Sequence, residues 1–272
     1  MNSLDVRRAG PQVIATVSGK GGVGKTNLVA NLAVAASGMG ARVLLVDGDL
    51  GLANVDVLLG LVPPRSAADV IDGRCRLEEA LLEGPRGIHV LPAASGRSDL
   101  SVLRPAGMAG LLVPLFALVP RYDLVLVDAG AGLGPAVISL AAASDRAILV
   151  LTEEPTCLAD AYATLKVLSQ EAEALPVQVL VNQARDARHA RSVHQRLERV
   201  ALRFLGSAPP FLGFVPRDLR LVQAVARQRA VVEAYPTASS SQRLIALAAE
   251  LLRGHEGART HPRAALPAAR VQ

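Results

Sequence analysis

Short runs of β-branched and leucine-rich residues alternate along the chain with longer stretches of helical periodicity. The short runs predict strands at Val13–Val17, Arg42–Asp47, Ile88–Pro92, Leu124–Asp128, Ala147–Thr152, Val177–Asn182 and Phe211–Val215. Most are continuously apolar rather than alternating, as in strands covered on both faces. Helical spacing is clearest at Lys25–Ser37, Pro105–Leu118, Thr156–Glu173, His189–Leu205 and Gln242–Arg253. Strands and helices in this alternation predict an α/β domain: a mainly parallel, twisted sheet of about seven to eight strands with helices on both faces. No internal repeat or long linker interrupts it. Residues 1–11 read as a short flexible N-terminus, 12–253 as a single domain, and 254–272 as a disordered tail.

The last helix places Leu244, Ile245, Leu247, Ala248, Leu251 and Leu252 on one face, with Arg243, Glu250 and Arg253 off it. That stripe predicts packing onto the domain. A membrane-surface helix carries more basic residues on its polar face and a bulky aromatic on the other.

Half of the residues (51%) are hydrophobic, yet no apolar run reaches the roughly 18 residues of a membrane span. Met1 to Pro11 lacks the apolar core of a signal peptide, so a cytoplasmic location is expected. Cys75 and Cys157 form no C-x-x-C and read as structural thiols. The net charge of +5 permits acidic partners, but aromatics are 3% with no tryptophan. Stacking platforms for single-stranded nucleic acid are therefore not expected.

Positive charge comes almost wholly from arginine. The chain has three lysines, Lys20, Lys25 and Lys166, and two of them share one loop. Gly19-Lys20-Gly21-Gly22-Val23-Gly24-Lys25-Thr26 fits G-x-x-x-x-G-K-[ST], the phosphate-binding P-loop. It lies where such a loop must, between a strand and a helix. Its glycines let backbone N–H groups converge on phosphate oxygens at a helix N-terminus. Lys25 is expected to reach the β- and γ-phosphates of ATP, and Thr26 to place its hydroxyl on Mg²⁺. Asp47 ends the second strand and Asp49 follows it, at the carboxyl edge where α/β sheets bind ligands. Leu124-Val125-Leu126-Val127-Asp128 reads as a Walker B strand, its Asp holding a magnesium-bound water.

Lys20, at the second loop position, resembles the deviant Walker A group that includes MinD and ParA. The resemblance implies that Lys20 reaches across an ATP-dependent homodimer to the nucleotide of the other subunit, in the manner of an arginine finger. It further implies that Asp49 orients the attacking water and that Asp47 supports the magnesium shell. Ala129-Gly130-Ala131-Gly132 is similar to the group's D-x-x-A-G loop, in which Gly132 belongs to the γ-phosphate switch. Asn182 stands where relatives offer an amide to adenine, and Pro216 and Arg217 match the segment around the ring. A turn-forming Asn and Pro explain those positions equally well. Asp160 is a candidate partner for Lys20 in one nucleotide state.

Longer segments resemble the FlhG/FleN (YlxH) flagellar-number regulators: Asp49 to Gly60, Thr152-Glu153-Glu154-Pro155-Thr156, Ala159 to Ala163, Lys166 to Leu168, and Gln228 to Pro236. The resemblance implies a slow regulatory ATPase that controls flagellar number or placement. Its implied partners are an FlhF-type GTPase, a flagellar transcription activator or flagellar switch proteins. Membrane association at the inner face of the cell membrane, through a C-terminal amphipathic segment, also belongs to the group. Met1 to Pro11 departs from it, offering only Asp5 and Arg7-Arg8 where the group has D-Q-A-x-x-L-R.

Two other readings compete. A ParA- or MinD-like partition or positioning ATPase would act on DNA or membrane; Arg185, Arg188, Arg191, Arg196, Arg199 and Arg203 cluster in sequence, and such a cluster can contact phosphates. A solvated helix face accounts for them more simply. An iron–sulfur carrier ATPase needs a C-x-x-C that the chain lacks.

Overall fold

Ile14, Ala15, Leu44, Leu45, Val125, Leu126, Leu149 and Val150 are fully enclosed, because the strands that carry them are sandwiched between two helical layers. The computed structural model describes residues 11–51, 53–94 and 105–254. Expectations for residues 1–10 and 255–272 lie outside the described residues.

The strands are β1 (Gln12–Ser18), β2 (Val43–Asp47), β3 (Leu82–Glu83), β4 (His89–Leu91), β5 (Leu124–Ala131), β6 (Arg146–Leu151), β7 (Val177–Ala184) and β8 (Phe211–Pro216). They form one sheet in the order β3-β4-β2-β5-β1-β6-β7-β8. All neighbours are parallel except β3 and β4. All seven expected strands are present. The unexpected β3 has two residues, too short for a period-two pattern to register.

The helices are α1 (Lys25–Gly38), α2 (Val55–Leu59), α3 (Ala67–Ile71), α4 (Pro105–Leu118), α5 (Pro135–Ala142), α6 (Pro155–Glu171), α7 (Ala187–Leu205), α8 (Leu219–Ala226), α9 (Val231–Ala234) and α10 (Ser239–Arg253). In one layer, α1 covers β2 and β5, α10 packs on α1 and β8, and α9 joins the two. Leu244, Leu247, Ala248 and Leu251 of α10 are buried in that contact. In the other layer α4, α5, α6 and α7 touch in succession. Asp186 caps α7 by accepting the His189 N–H at 2.7 Å, which starts this helix at Ala187, two residues before the expected His189.

The chain runs from β1 leftward to β2 and β4, returns through β5 between β2 and β1, then leaves rightward through β6. β1 is thus the point where strand order reverses, and the crevice beyond its carboxyl end is where such sheets bind ligands.

Candidate functional site

The residues after β1 fold back on that crevice. Ser18 Oγ donates to the Lys20 carbonyl at 3.0 Å, and the Ser18 carbonyl accepts the Gly132 N–H at 2.9 Å. This second bond ties the loop after β5 to the phosphate loop. Gly22 and Gly24 have φ of 79° and 86°, a left-handed geometry that aims neighbouring N–H groups into an anion-binding concavity. Gly24 also caps α1. A Cβ there would lie 2.5 Å from Asn182 Nδ2, so only glycine fits.

Lys25 enters the interior. Its Nζ lies 2.5 Å from Asp128 Oδ1, with the two side chains 7% and 1% exposed. Asp128 pairs in register with Thr16 of β1 on one side and Asp47 of β2 on the other. Its second oxygen, Oδ2, is buried and has no hydrogen-bond partner among the described residues. A hard carboxylate oxygen, enclosed and unused beside the first turn of α1, fits a magnesium-bound water. Thr26, half-buried in that turn, has the hydroxyl expected of the direct ligand.

Asp47 is fully buried and accepts three backbone N–H bonds, from Asp49 at 3.1 Å, Asn54 at 3.0 Å and Val55 at 3.2 Å. It therefore shapes the loop that follows β2, a role its position in sequence does not reveal. Burial, then the neighbouring Asp128 charge, push its pKa up to about 7 against the pull of those three donors. Gly48 passes so close to β5 that a Cβ would meet Leu140 Cδ1 at 2.6 Å and the Asp128 carbonyl at 2.8 Å. Asp49 lands against the end of β5: a Cβ on Gly130 would be 3.6 Å from its Cγ.

Lys20 lies on the rim. Its Nζ is 2.5 Å from Glu154 Oε2 and 3.2 Å from Thr156 Oγ1, with Lys20 and Glu154 39% and 59% exposed. The hydrogen bond to Glu154 raises the pKa of the ammonium. Here Lys20 bonds Glu154 and Thr156; Asp160, the candidate partner in one nucleotide state, packs against the same loop, where a Cβ on Gly19 would lie 2.8 Å from its own Cβ. The adjacent Glu153 turns the other way, 2.8 Å from His189 Nε2 and 3.9 Å from Arg185. One dipeptide at the end of β6 therefore holds both the phosphate loop and the first turn of α7. Two adjacent carboxylates before a proline at a strand's carboxyl end were the available signal.

Asn182 reaches the phosphate loop from β7. Its Nδ2 donates to the Val23 carbonyl at 2.7 Å and its Oδ1 accepts the Gln183 N–H at 2.9 Å. Pro216 pairs with Ala184 across β7 and β8, and the Arg217 N–H donates to the Ala184 carbonyl at 3.0 Å. The fold thus gathers Gly19–Thr26, Asp47, Asp49, Asp128, Gly132 and Asn182, while Pro216 and Arg217 stand at the next strand end. Of the clustered arginines, Arg185 faces Glu153, and Arg191 and Arg203 lie over Phe211 and Phe204. Cys157 is buried and free, and its Sγ accepts the Thr152 N–H at 3.3 Å.

A glycine loop at the switch point, a buried lysine and a buried aspartate of β5 with an unused oxygen define a P-loop nucleotide-binding domain. The chain belongs to the CobQ/CobB/MinD/ParA nucleotide binding domain family, matched over residues 14–231. It is 45% identical over 230 residues to the antiactivator FleN of Pseudomonas aeruginosa, covering 85% of this chain and 82% of that one. It is 30% identical over 240 residues to the flagellum site-determining protein YlxH of Helicobacter pylori, covering 88% and 81%. Among solved structures, the septum site-determining protein MinD of Pyrococcus horikoshii in complex with Mg-ADP superposes with a TM-score of 0.74 at 30% identity, over 88% of this chain and 95% of that one.

Proposed function

We propose that the protein is an ATP-binding and ATP-hydrolysing dimerisation switch that regulates flagellar number or placement. The observation that carries this reading is the 45% identity to antiactivator FleN, which runs through 85% of the chain. The buried Lys25–Asp128 pair with its spare carboxylate oxygen supports the ATP-dependent part.

In this reading the loop N–H groups of Gly19–Thr26 and the Lys25 ammonium hold the phosphates. Thr26 holds Mg²⁺ directly, and Asp47 and Asp128 hold it through water. Magnesium supplies charge neutralisation on the phosphate oxygens. Asp49 orients the attacking water, which is mainly positioning work. Lys20 leaves Glu154 and Thr156 to serve the nucleotide of the second subunit. Gly132 reports the γ-phosphate to Ser18 through its backbone N–H. Asn182, Pro216 and Arg217 surround the base. Turnover is slow, as suits a switch whose ATP state must last, and the partners are flagellar regulators such as an FlhF-type GTPase or a transcription activator.

The test is deletion of the gene in the source organism, with flagella counted in electron micrographs. Altered number or position, restored by the wild-type gene and not by Lys25→Ala, is expected. Unchanged flagellation would remove the assignment.

A further inference from the structure

The phosphate loop has two unlike flanks. On the side of β5 and β2 stand the carboxylates of Asp128 and Asp47, which suit a metal ion and the phosphates it binds. On the side of β7 stand two amides, Asn182 and Gln183, and Asn182 Nδ2 donates to the Val23 carbonyl at 2.7 Å. In the reading above, a nucleotide with its phosphates in the loop lays its base toward β7.

The backbone of β7 is irregular at that point. Val181 pairs with Phe214 and Ala184 with Pro216, so Asn182 and Gln183 together oppose the single residue Val215. A bulge of this kind re-aims a side chain, and bulges gather beside functional sites. Gln183 has φ of 56°, in the left-handed region that glycine fills without steric cost. Among the described residues, Arg86 and Gln228 share this conformation. Both use their side chains inside the protein: Arg86 pairs with Glu233 at 2.9 Å, and Gln228 Nε2 donates to the Val57 carbonyl at 2.9 Å. Gln183 differs. Its N–H is held by Asn182 Oδ1 at 2.9 Å, but its exposed carboxamide makes no hydrogen bond among the described residues.

A costly backbone that presents an idle amide beside the phosphate loop calls for a partner outside the chain. Asn182 is already engaged at both ends of its amide, with the phosphate loop at one and the turn at the other. We propose that Gln183 reads the base as adenine: its Oε1 accepts a hydrogen bond from the 6-amino group, and its Nε2 donates to the adjacent ring nitrogen. A primary amide carries that acceptor and donor in one plane, as adenine requires. Asn182 is then a positioning residue that holds Gln183 in place. The inference rests on the nucleotide-site reading and names the residue that makes the site select adenine.

Equilibrium binding to the full chain tests it, with ATP and with purine riboside triphosphate, which lacks only the 6-amino group. Wild type should bind ATP roughly tenfold tighter than the analogue. Gln183→Gly suits the left-handed backbone, so it should melt no lower than wild type. It should weaken ATP by about that same factor, leave the analogue unchanged and so erase the preference. Gln183→Leu, of similar size but without the amide, should erase it too, which separates the amide from any loosening of the turn. A wild type that binds both nucleotides equally, or a Gln183→Gly or Gln183→Leu protein that keeps the preference, would overturn the proposal alone. A wild type that binds neither would overturn the nucleotide reading and this inference with it.

Discussion

Two lysines five residues apart in one loop live in different physical worlds. Lys25 is enclosed against Asp128, between β1, β5 and β2, and Lys20 stands half in solvent against Glu154. An enclosed pair cannot lose one member cheaply, because the other is left as a bare buried charge. An exposed pair can open, since water replaces each partner. The interior of the loop is therefore built to hold, and its rim is built to let go.

The largest effect should follow from breaking the interior pair. Lys25→Ala strands Asp128 and is expected to destabilise the fold by roughly 3–5 kcal/mol while removing nucleotide binding. Chemical denaturation and equilibrium binding of a fluorescent ATP analogue measure the two losses. A variant as stable as wild type would show that Asp128 has another partner and would erase the contrast.

Next comes the backbone that aims the loop. Gly24→Ala puts a Cβ into the left-handed region and against Asn182 Nδ2. A cost of about 1–2 kcal/mol is expected from conformation alone, with weaker ATP binding as the loop shifts. Denaturant midpoints and the same binding assay check this.

Separate from both is a pH effect beside the interior pair. Asp47 has its pKa raised to about 7 by burial and by Asp128, against an unfolded value near that of an ordinary carboxylate, ~4. The folded chain thus keeps a proton that the unfolded chain has lost. The contribution is full below about pH 4 and disappears as pH rises through about 7. Without nucleotide, wild type should lose more stability between pH 5 and pH 8 than Asp47→Asn does. Equal losses would place the titration elsewhere.

The fold was largely legible. β1, β2 and β5 are buried on both faces, so their apolar runs are continuous, and α10 shows its stripe. The short helices α2, α3 and α9 were not legible, since they are defined by caps and tertiary packing and are too brief for a periodic pattern. The site was legible where chemistry demands a residue type, as at Gly24, Lys25 and Asp128. It was illegible where partners meet through topology. Glu154 reaches Lys20 across 134 positions, and no local spacing encodes that. Asp47 could be read as an acid near magnesium, but not as the acceptor of three N–H bonds. Asn182 could be read as an amide offered to the base or as a turn former, but not seen to bond the Val23 carbonyl.

The contrast between the lysines is tested most directly by analytical ultracentrifugation of Lys20→Ala with saturating ATP and Mg²⁺, with ATP binding measured on the same sample. The rim lysine is expected to be dispensable for folding and for binding ATP within a few-fold, yet required for the dimer. The variant should therefore bind ATP and sediment as a monomer under conditions where wild type dimerises. A Lys20→Ala protein that dimerises like wild type, or one that loses ATP binding as Lys25→Ala does, would contradict the division of labour between the two.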